Sequence, residues 1–190
     1  MQIKPEIRIL AIDDSALLGE RVMIVGVVFR GGGWMDGVLR SEIARDGLDA
    51  TDAIAEMVTA TKHYPQIRVI MLDGVTYGGF NVVDITELQR RTGLPIIVVM
   101  RAEPDMARIK DALQNLPDAG QRWQSILNAG AIAEINVHES SLYIQCAGIE
   151  IADARKIVQL ATTHSHIPEP LRAAHLIATG IVCGESRGQA

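Results

Sequence analysis

The sequence predicts an α/β fold in which helices flank a mixed β-sheet. Two apolar runs of β-forming residues, 8–14 and 68–74, predict buried strands, and an aspartate lies at the end of each strand. A third apolar run, 21–29, follows the first so closely that the two strands form an antiparallel hairpin. The helical pattern at 52–63 lies between this hairpin and the strand at 67–72. A crossover of this kind favours parallel pairing of that strand with the first one.

The remaining elements follow from changes in hydrophobic period and from turn residues. The glycines at 31–33 break the chain, and residues 34–39 predict a short third strand. Asn81 is a candidate cap for a helix that runs to about Arg91, and residues 94–100 predict a fifth strand. Beyond it the pattern predicts a hairpin at 132–137 and 141–146, and helices at 105–113, 118–128, 150–163 and 169–182.

The order of these elements narrows the fold class. Three strands, a helix, a strand, a helix and a strand is the order of a ribonuclease H-like sheet, in which the first and fourth strands are neighbours. No repeat, low-complexity segment or linker divides the chain. We therefore predict a single ribonuclease H-like domain over residues 1–190, with a mixed β-sheet flanked by helices.

Composition limits the classes of partner. An apolar fraction of 48% is enough for a sizeable core, and 18 Lys and Arg against 23 acidic residues give a net charge of −5. No broad cationic face for duplex binding is implied, so any nucleic-acid contact is local. With no leader pattern and no apolar run of membrane-spanning length, we expect a cytoplasmic protein without a membrane partner. Cys146 and Cys183 have apolar surroundings and predict reduced core thiols.

Asp13 and Asp73 are the candidate metal ligands, because each lies where a predicted buried strand emerges. Neighbouring parallel strands are about 4.8 Å apart, so their two carboxylates can approach one cation. Such a pair suits Mg²⁺ or Mn²⁺, which prefer oxygen ligands and leave positions for water and a phosphate oxygen. The structural alternative is that each aspartate stabilises a turn or caps a following helix.

Five segments of the chain carry a resemblance to a known family. They are Ala-Ile-Asp-Asp-Ser at 11–15, Asp-Gly-Leu-Asp-Ala-Thr-Asp at 46–52, Leu-Asp-Gly-Val-Thr-Tyr-Gly-Gly-Phe-Asn at 72–81, Thr-Gly-Leu-Pro-Ile-Ile-Val-Val at 92–99 and Pro-Glu-Pro-Leu-Arg-Ala-Ala-His at 168–175. Over most of its length the sequence resembles an archaeal family of uncharacterised proteins that is distantly related to endonuclease V, within the ribonuclease H-like superfamily.

The resemblance implies roles for several residues. Asp13 and Asp73 match the two aspartates that hold the metal in endonuclease V. The third acidic ligand is expected after the third strand, where Glu42 and Asp46 are the alternatives. Arg101 falls where the resemblance calls for a lysine near the phosphate, so the charge is kept in a different geometry. The implied catalytic set is therefore Asp13, Asp73, Asp46 and Arg101.

A second group of residues is expected to contact nucleic acid. Trp34 replaces the aromatic residue of the wedge motif in the nuclease, where it lies between prolines that this chain lacks. Gly78 and Gly79 allow close approach of a sugar or base, although such glycines also serve turn geometry. Arg172 and His175, three positions apart on a predicted helix, reach a phosphate or the acidic site, unless they are merely solvated.

Three hypotheses for function follow. The first is a metal-dependent nuclease-like protein that hydrolyses phosphodiester bonds in single-stranded or structured DNA or RNA. The second is a non-catalytic module that binds nucleic acid or a nucleotide in the same cleft, and it is favoured by Ile149, where the resemblance leads one to expect a histidine. The third is an interaction scaffold, supported by the acidic net charge. Metal binding separates the first from the third, and turnover separates the first from the second.

Overall fold

A seven-stranded mixed sheet with helices on both faces forms the body of the protein. This computed structural model describes residues 2–138 and 140–186, and the elements below are those of the described residues. The strands are β1 (Arg8–Asp14), β2 (Arg21–Arg30), β3 (Trp34–Ala44), β4 (Val69–Asp73), β5 (Thr76–Tyr77), β6 (Asn81–Val82), β7 (Ile96–Met100), β8 (Ala133–Val137) and β9 (Ser140–Ala147). The helices are α1 (Ala50–Ala60), α2 (Ile85–Thr92), α3 (Met106–Leu113), α4 (Ala119–Asn128), α5 (Ile151–Ala161) and α6 (Glu169–Cys183).

The strand order of the large sheet is β3-β2-β1-β4-β7-β9-β8. β4 pairs in parallel with both β1 and β7, and the other neighbours are antiparallel. The predicted mixed sheet, with the first strand between the second and the fourth, is therefore confirmed. Because β1 and β4 run in the same direction, their carboxyl ends lie side by side at one end of the sheet.

Alternating side chains of the central strands fill two hydrophobic cores. Ile9 and Ala11 of β1 face one core, which includes buried residues of α5 and α6. Leu10 and Ile12 face the other, with α1 and α2. Each fully buried aliphatic side chain of this kind contributes about 1.5–3 kcal/mol, so the two faces anchor the strands firmly. The alternation also fixes which face each residue at a strand end will meet.

Three local predictions differ from the structure. β3 has 11 residues, since its polar half pairs with β2 as far as Ala44. The short pair β5 and β6 was not predicted. Asn81 does not cap α2, because Asp84 does so by accepting from the N–H groups of Thr86 and Glu87. Asn81 is buried and accepts instead from the N–H of Ala50 at the start of α1.

No helix in the described part of the chain is long and apolar enough to span a membrane. Cys146 and Cys183 are free thiols, and both are partly buried, whereas the sequence predicted thiols within the core. Burial raises the pKa of the Cys146 thiol to about 12, which keeps it protonated and unreactive at neutral pH.

Candidate active site

The strand register brings Asp13 beside Asp73. The last registered pair of β1 and β4 is Ile12 with Leu72, so the next residue on each strand is the aspartate. Both aspartates continue the alternation that points toward the α6 face, since Ala11 and Met71 belong to that core. Neighbouring strands are about 4.8 Å apart. The predicted juxtaposition of the two aspartates is thus present in the fold.

A buried phenol joins the ends of these two strands. The hydroxyl of Tyr77 donates to the carbonyl of Ile12 at 2.9 Å and accepts from the N–H of Asp73 at 3.1 Å. Tyr77 is fully buried, in the core that faces α1 and α2. Its hydroxyl therefore connects Ile12, in the last registered pair of β1 and β4, to Asp73, the residue after that pair on β4.

Asp14 adds a third carboxylate next to the pair. Its N–H donates to Asp13 Oδ1 at 2.8 Å, and its own Oδ2 accepts from the N–H of Gly78 at 2.6 Å. Sequence analysis did not single out Asp14, although it is the second residue of an Asp-Asp pair. Gly78 thus contacts the side chain of Asp14, and Tyr77 before it contacts the backbone of Asp73.

Burial and mutual repulsion dominate the electrostatics of this end of the sheet. The pKa of Asp73 is raised to about 6, first by burial and then by the charge of Asp13. The pKa of Asp14 is also raised to about 6, first by burial, with Asp13 and Asp73 adding repulsion that the Gly78 N–H partly offsets. Three acidic groups crowded in this way favour either a proton or a cation among them.

Two basic side chains reach the aspartates from other elements. Arg101 follows β7, and its Nη2 donates to Asp73 Oδ2 at 3.0 Å. His175 lies on α6, whose apolar face packs on the sheet through Leu171, Ala174 and others, and its Nδ1 donates to Asp13 Oδ2 at 2.9 Å. The nearby charges of Arg101 and His175 lower the pKa of Asp73 less than burial and Asp13 raise it. The two basic side chains therefore compensate the negative charge of the aspartates only in part.

The donor set is compatible with a hard divalent cation. Asp13 and Asp73 present carboxylate oxygens on one face, and Mg²⁺ is commonly held in proteins by one or two carboxylates and several waters. No set of three or more His, Cys, Asp or Glu side chains within residues 2–138 and 140–186 is arranged to hold a metal ion. The fit thus rests on two aspartates and on negative charge that Arg101 and His175 offset only in part.

The two alternatives for a third ligand lie in different places. Asp46 adopts a left-handed conformation with φ of 49°, and its carboxylate accepts from the N–H of Phe80 at 2.8 Å. It therefore lies against the same turn that contacts Asp14. Glu42 is opposite Met23 on β2, two strands from β1, and its carboxylate accepts from Arg40. The structure brings Asp46, and not Glu42, to the Gly78 turn, and both assignments stay predictions.

Gly78 and Gly79 shape that turn. Their φ angles are +55° and +92°, a region that favours glycine, and a Cβ at Gly79 would collide with the carboxylate of Asp46. The turn-geometry interpretation therefore has direct support. Their contact with nucleic acid stays a prediction.

Arg122 is a functional candidate that sequence analysis missed. It is buried on α4, and its guanidinium donates to the carbonyls of Asp46 at 2.6 Å, Gly47 at 2.7 Å and Phe80 at 2.5 Å. A fourth bond, at 3.1 Å, goes to the carbonyl of Pro117. A single arginine in an amphipathic helix gives no signal in the sequence that it will hold two distant loops together.

Trp34 and Arg172 have neighbours other than the aspartates. Trp34 is 67% exposed and pairs with Arg30, which is opposite Arg8 at the start of β1. Arg172 donates to Glu169 Oε2 at 2.9 and 2.7 Å. Of the residues predicted to bind nucleic acid, only His175 and Gly78 touch an aspartate at the end of β1, and the nucleic-acid role of all of them stays a prediction.

Ile149 also lies at the far end of the sheet. It follows Ala147, which pairs with Ile96 at the start of β7, whereas Asp73 pairs with Val99 near the end of β7. The expected histidine would therefore be remote from the aspartates at this position. The imidazole next to Asp13 comes from His175 instead.

Comparison with known proteins identifies a family and similar structures. Residues 5–182 match the family model described as endonuclease dU. A UPF0215 protein of Methanosarcina barkeri is 63% identical over 188 residues, which cover 99% of this chain and 97% of that protein. A crystal structure of a protein of unknown function from Archaeoglobus fulgidus matches with a TM-score of 0.86 and 40% identity, covering 93% of this chain and 98% of that one.

A more distant structural match bears on the fold alone. Human endonuclease V aligns with a TM-score of 0.61 and 16% identity, covering 90% of this chain and 82% of that chain. The predicted archaeal family and the predicted ribonuclease H-like, endonuclease V-like fold are both confirmed.

Proposed function

The chain belongs to the endonuclease dU family, and on that premise we propose that it is a divalent-metal-dependent endonuclease that hydrolyses phosphodiester bonds in DNA containing deoxyuridine. The observation that carries the proposal is the parallel register of β1 and β4, which sets Asp13 beside Asp73. The family description supports both the reaction class and deoxyuridine as the recognised nucleotide.

Asp13 and Asp73 would hold the metal, with Asp46 or Glu42 as the proposed third ligand. When bound, Mg²⁺ or Mn²⁺ supplies Lewis-acid polarisation of a phosphodiester and a more acidic water. His175 orients the Asp13 carboxylate by hydrogen bonding to its Oδ2 at 2.9 Å. Such partners of a ligating carboxylate fix its rotamer and tune its basicity.

Arg101 has a second role in this proposal. It lies against Asp73 and is 43% exposed, so its guanidinium reaches both the carboxylate and the solvent in front of it. A guanidinium in that position binds a phosphate oxygen well, because its planar donors match the geometry of the anion. The rest of the nucleic-acid strand is proposed to contact Trp34, Gly78, Gly79 and Arg172.

The alternative of a non-catalytic binding module loses its main support. It rested on Ile149, and that residue lies at the far end of β7 from the aspartates. Loss of a histidine there leaves the aspartate cluster unchanged, and His175 provides an imidazole beside Asp13.

The test is Mn²⁺ titration by calorimetry of the wild type, Asp73→Asn and Asp36→Asn, followed by cleavage of matched oligonucleotides with one deoxyuridine or thymidine. Asp36 is a carboxylate at the other end of the sheet and is paired with Arg30, so it serves as the matched control. We expect stoichiometric Mn²⁺ binding that Asp73→Asn removes and Asp36→Asn keeps. The oligonucleotide with deoxyuridine should be cleaved at least about a hundredfold faster than the one with thymidine. Absence of Mn²⁺ binding by the wild type, or binding indifferent to Asp73→Asn, would overturn the proposal.

A further inference from the structure

We propose that Tyr77 is a positioning residue that sets the spacing of the two aspartate-bearing strand ends for a divalent cation. This inference rests on the proposed function, since it assumes that Asp13 and Asp73 bind the metal. Tyr77 itself touches neither substrate nor metal in this account, and it acts through the backbone of β1 and β4.

The hydroxyl of Tyr77 extends the sheet where the backbone ladder ends. The β1–β4 register ends at Ile12 and Leu72, and the phenol then accepts from the N–H of Asp73 and donates to the carbonyl of Ile12. One oxygen atom thus bridges a donor on β4 and an acceptor on β1. Buried backbone groups without such a partner would be costly, so the bridge holds both strands to it.

Neighbouring contacts make the bridge rigid. The ring is fully buried in the core that faces α1 and α2, and Tyr77 pairs with Asn81 in the small β5–β6 sheet. The next residue, Gly78, donates its N–H to Asp14 Oδ2. Two successive residues of one turn therefore fix the backbone of Asp73, the end of β1 and the carboxylate of Asp14.

Strand ends loaded with like charges need such a restraint. Asp13, Asp14 and Asp73 repel one another when all are ionised, and no ladder bond between β1 and β4 lies beyond Leu72 in the registered pairs. Without the phenol, the two strand ends are free to separate until the repulsion falls. A separated pair would still permit folding and would bind a cation less tightly.

The experiment compares Tyr77→Phe with Tyr64→Phe. Tyr64 is the matched control, because its hydroxyl donates to the carbonyl of Thr92 at 2.6 Å and its ring packs against the same core, away from the aspartates. Each variant loses a phenol hydroxyl bound to the backbone and keeps its ring. We measure Mn²⁺ affinity by calorimetry and the thermal unfolding temperature of the metal-free protein.

Both variants are expected to unfold at a lower temperature than the wild type, and only Tyr77→Phe is expected to bind Mn²⁺ about 10- to 100-fold more weakly, as for other residues that support metal ligands. Equal Mn²⁺ affinity in Tyr77→Phe and the wild type would overturn the inference while leaving the proposed function standing. Equal weakening in both variants would also overturn it, because the effect would then follow stability alone. A wild type that binds no Mn²⁺ would instead count against the proposed function.

If Tyr77→Phe is partly unfolded, both variants are titrated again in sucrose, which favours the folded state. Weak Mn²⁺ binding by Tyr77→Phe alone would support the inference under these conditions. Recovery of wild-type affinity would overturn it.

Discussion

Asp36 and Asp73 are both partly buried carboxylates, and they lie at opposite ends of the sheet. Asp36 accepts from Arg30 Nε at 3.1 and 2.8 Å and lies 3.4 Å from Arg8 Nε, and its pKa is lowered first by the hydrogen bond from Arg30. Asp73 has Arg101 as a partner, yet burial and the charge of Asp13 raise its pKa to about 6. The far end has enough positive charge for its acid, whereas the aspartate end does not. The two ends therefore differ in charge: hydrogen bonding to Arg30 favours the ionised form of Asp36, whereas burial and the charge of Asp13 disfavour the ionised form of Asp73.

The largest expected effect concerns Arg122, the buried arginine that binds the loops near the aspartate end. Arg122→Met removes four hydrogen bonds to backbone carbonyls in a buried site, so we expect a loss of about 3 kcal/mol or more in the free energy of unfolding. Arg68→Met is the control, because Arg68 is exposed and donates to two nearby carbonyls at the far end. Urea denaturation followed by circular dichroism measures both. Losses of equal size would show that the two ends do not differ in this respect.

The next effect is a stability change of opposite sign at the two ends, measured without divalent metal. The folded pKa of Asp73, about 6, is above its ordinary value of 3.8, so ionisation of Asp73 destabilises the folded protein. This destabilisation is complete above about pH 6, and it disappears as pH falls toward 3.8. Asp73→Asn should therefore be more stable than the wild type at pH 7 by about 1–2 kcal/mol, less whatever the loss of the Arg101 pair costs. That advantage should disappear toward pH 4.

Asp36→Asn should behave in the reverse way. The pKa of Asp36 is lowered, so its ionised form contributes stability above its ordinary pKa, and that contribution is lost as pH falls through the lowered value. The variant should therefore be less stable than the wild type at pH 7, with a difference that shrinks in acid. Thermal unfolding from about pH 2 to about pH 8 measures both series, because the change linked to Asp36 lies below its ordinary pKa. Parallel curves for the two variants would remove the contrast between the ends.

The smallest expected effect concerns Trp34, at the far end. Its side chain is 67% exposed, so Trp34→Ala should change the free energy of unfolding by no more than about 0.5 kcal/mol. If stacking on a base is its role, affinity for single-stranded DNA should fall by about 1 kcal/mol, roughly fivefold, and Trp34→Phe should retain most of it. Fluorescence anisotropy with a labelled oligonucleotide measures this. Unchanged affinity in Trp34→Ala would confine nucleic-acid contact to other surfaces.

Sequence reasoning predicted the position of the aspartate pair because the determining features are local. An apolar run that closes with aspartate, repeated after a crossover helix, is enough to place Asp13 beside Asp73. The contacts that support the pair are not local. Tyr77 and Arg122 act through backbone groups that are distant in sequence or in another element, and nothing in their own neighbourhoods indicates that role.

Two errors have the same physical origin. Asn81 has the sequence of a helix cap, but burial between α1 and the loop after β3 gives its side chain other partners, the N–H of Ala50 and the carbonyl of Ala44. β3 was predicted too short because Arg40, Ser41 and Glu42 are polar, and a strand at the edge of a sheet tolerates polar residues. The single domain over 1–190, the cytoplasmic location and the metal stay predictions.

The residues of the candidate site are spread along the chain, and this spread affects when during folding they come together. Asp13, Asp73, Arg101 and His175 come from four separate segments, and the last of these lies on α6. A nascent chain that has formed only the β1–β2 hairpin carries Asp13 and Asp14 and lacks β4, the strand that brings Asp73. Because the contacts between β1 and α6 span 162 residues, the complete cluster forms late in folding. The aspartate pair and the basic side chains that contact it are therefore incomplete until α6 has packed against the sheet.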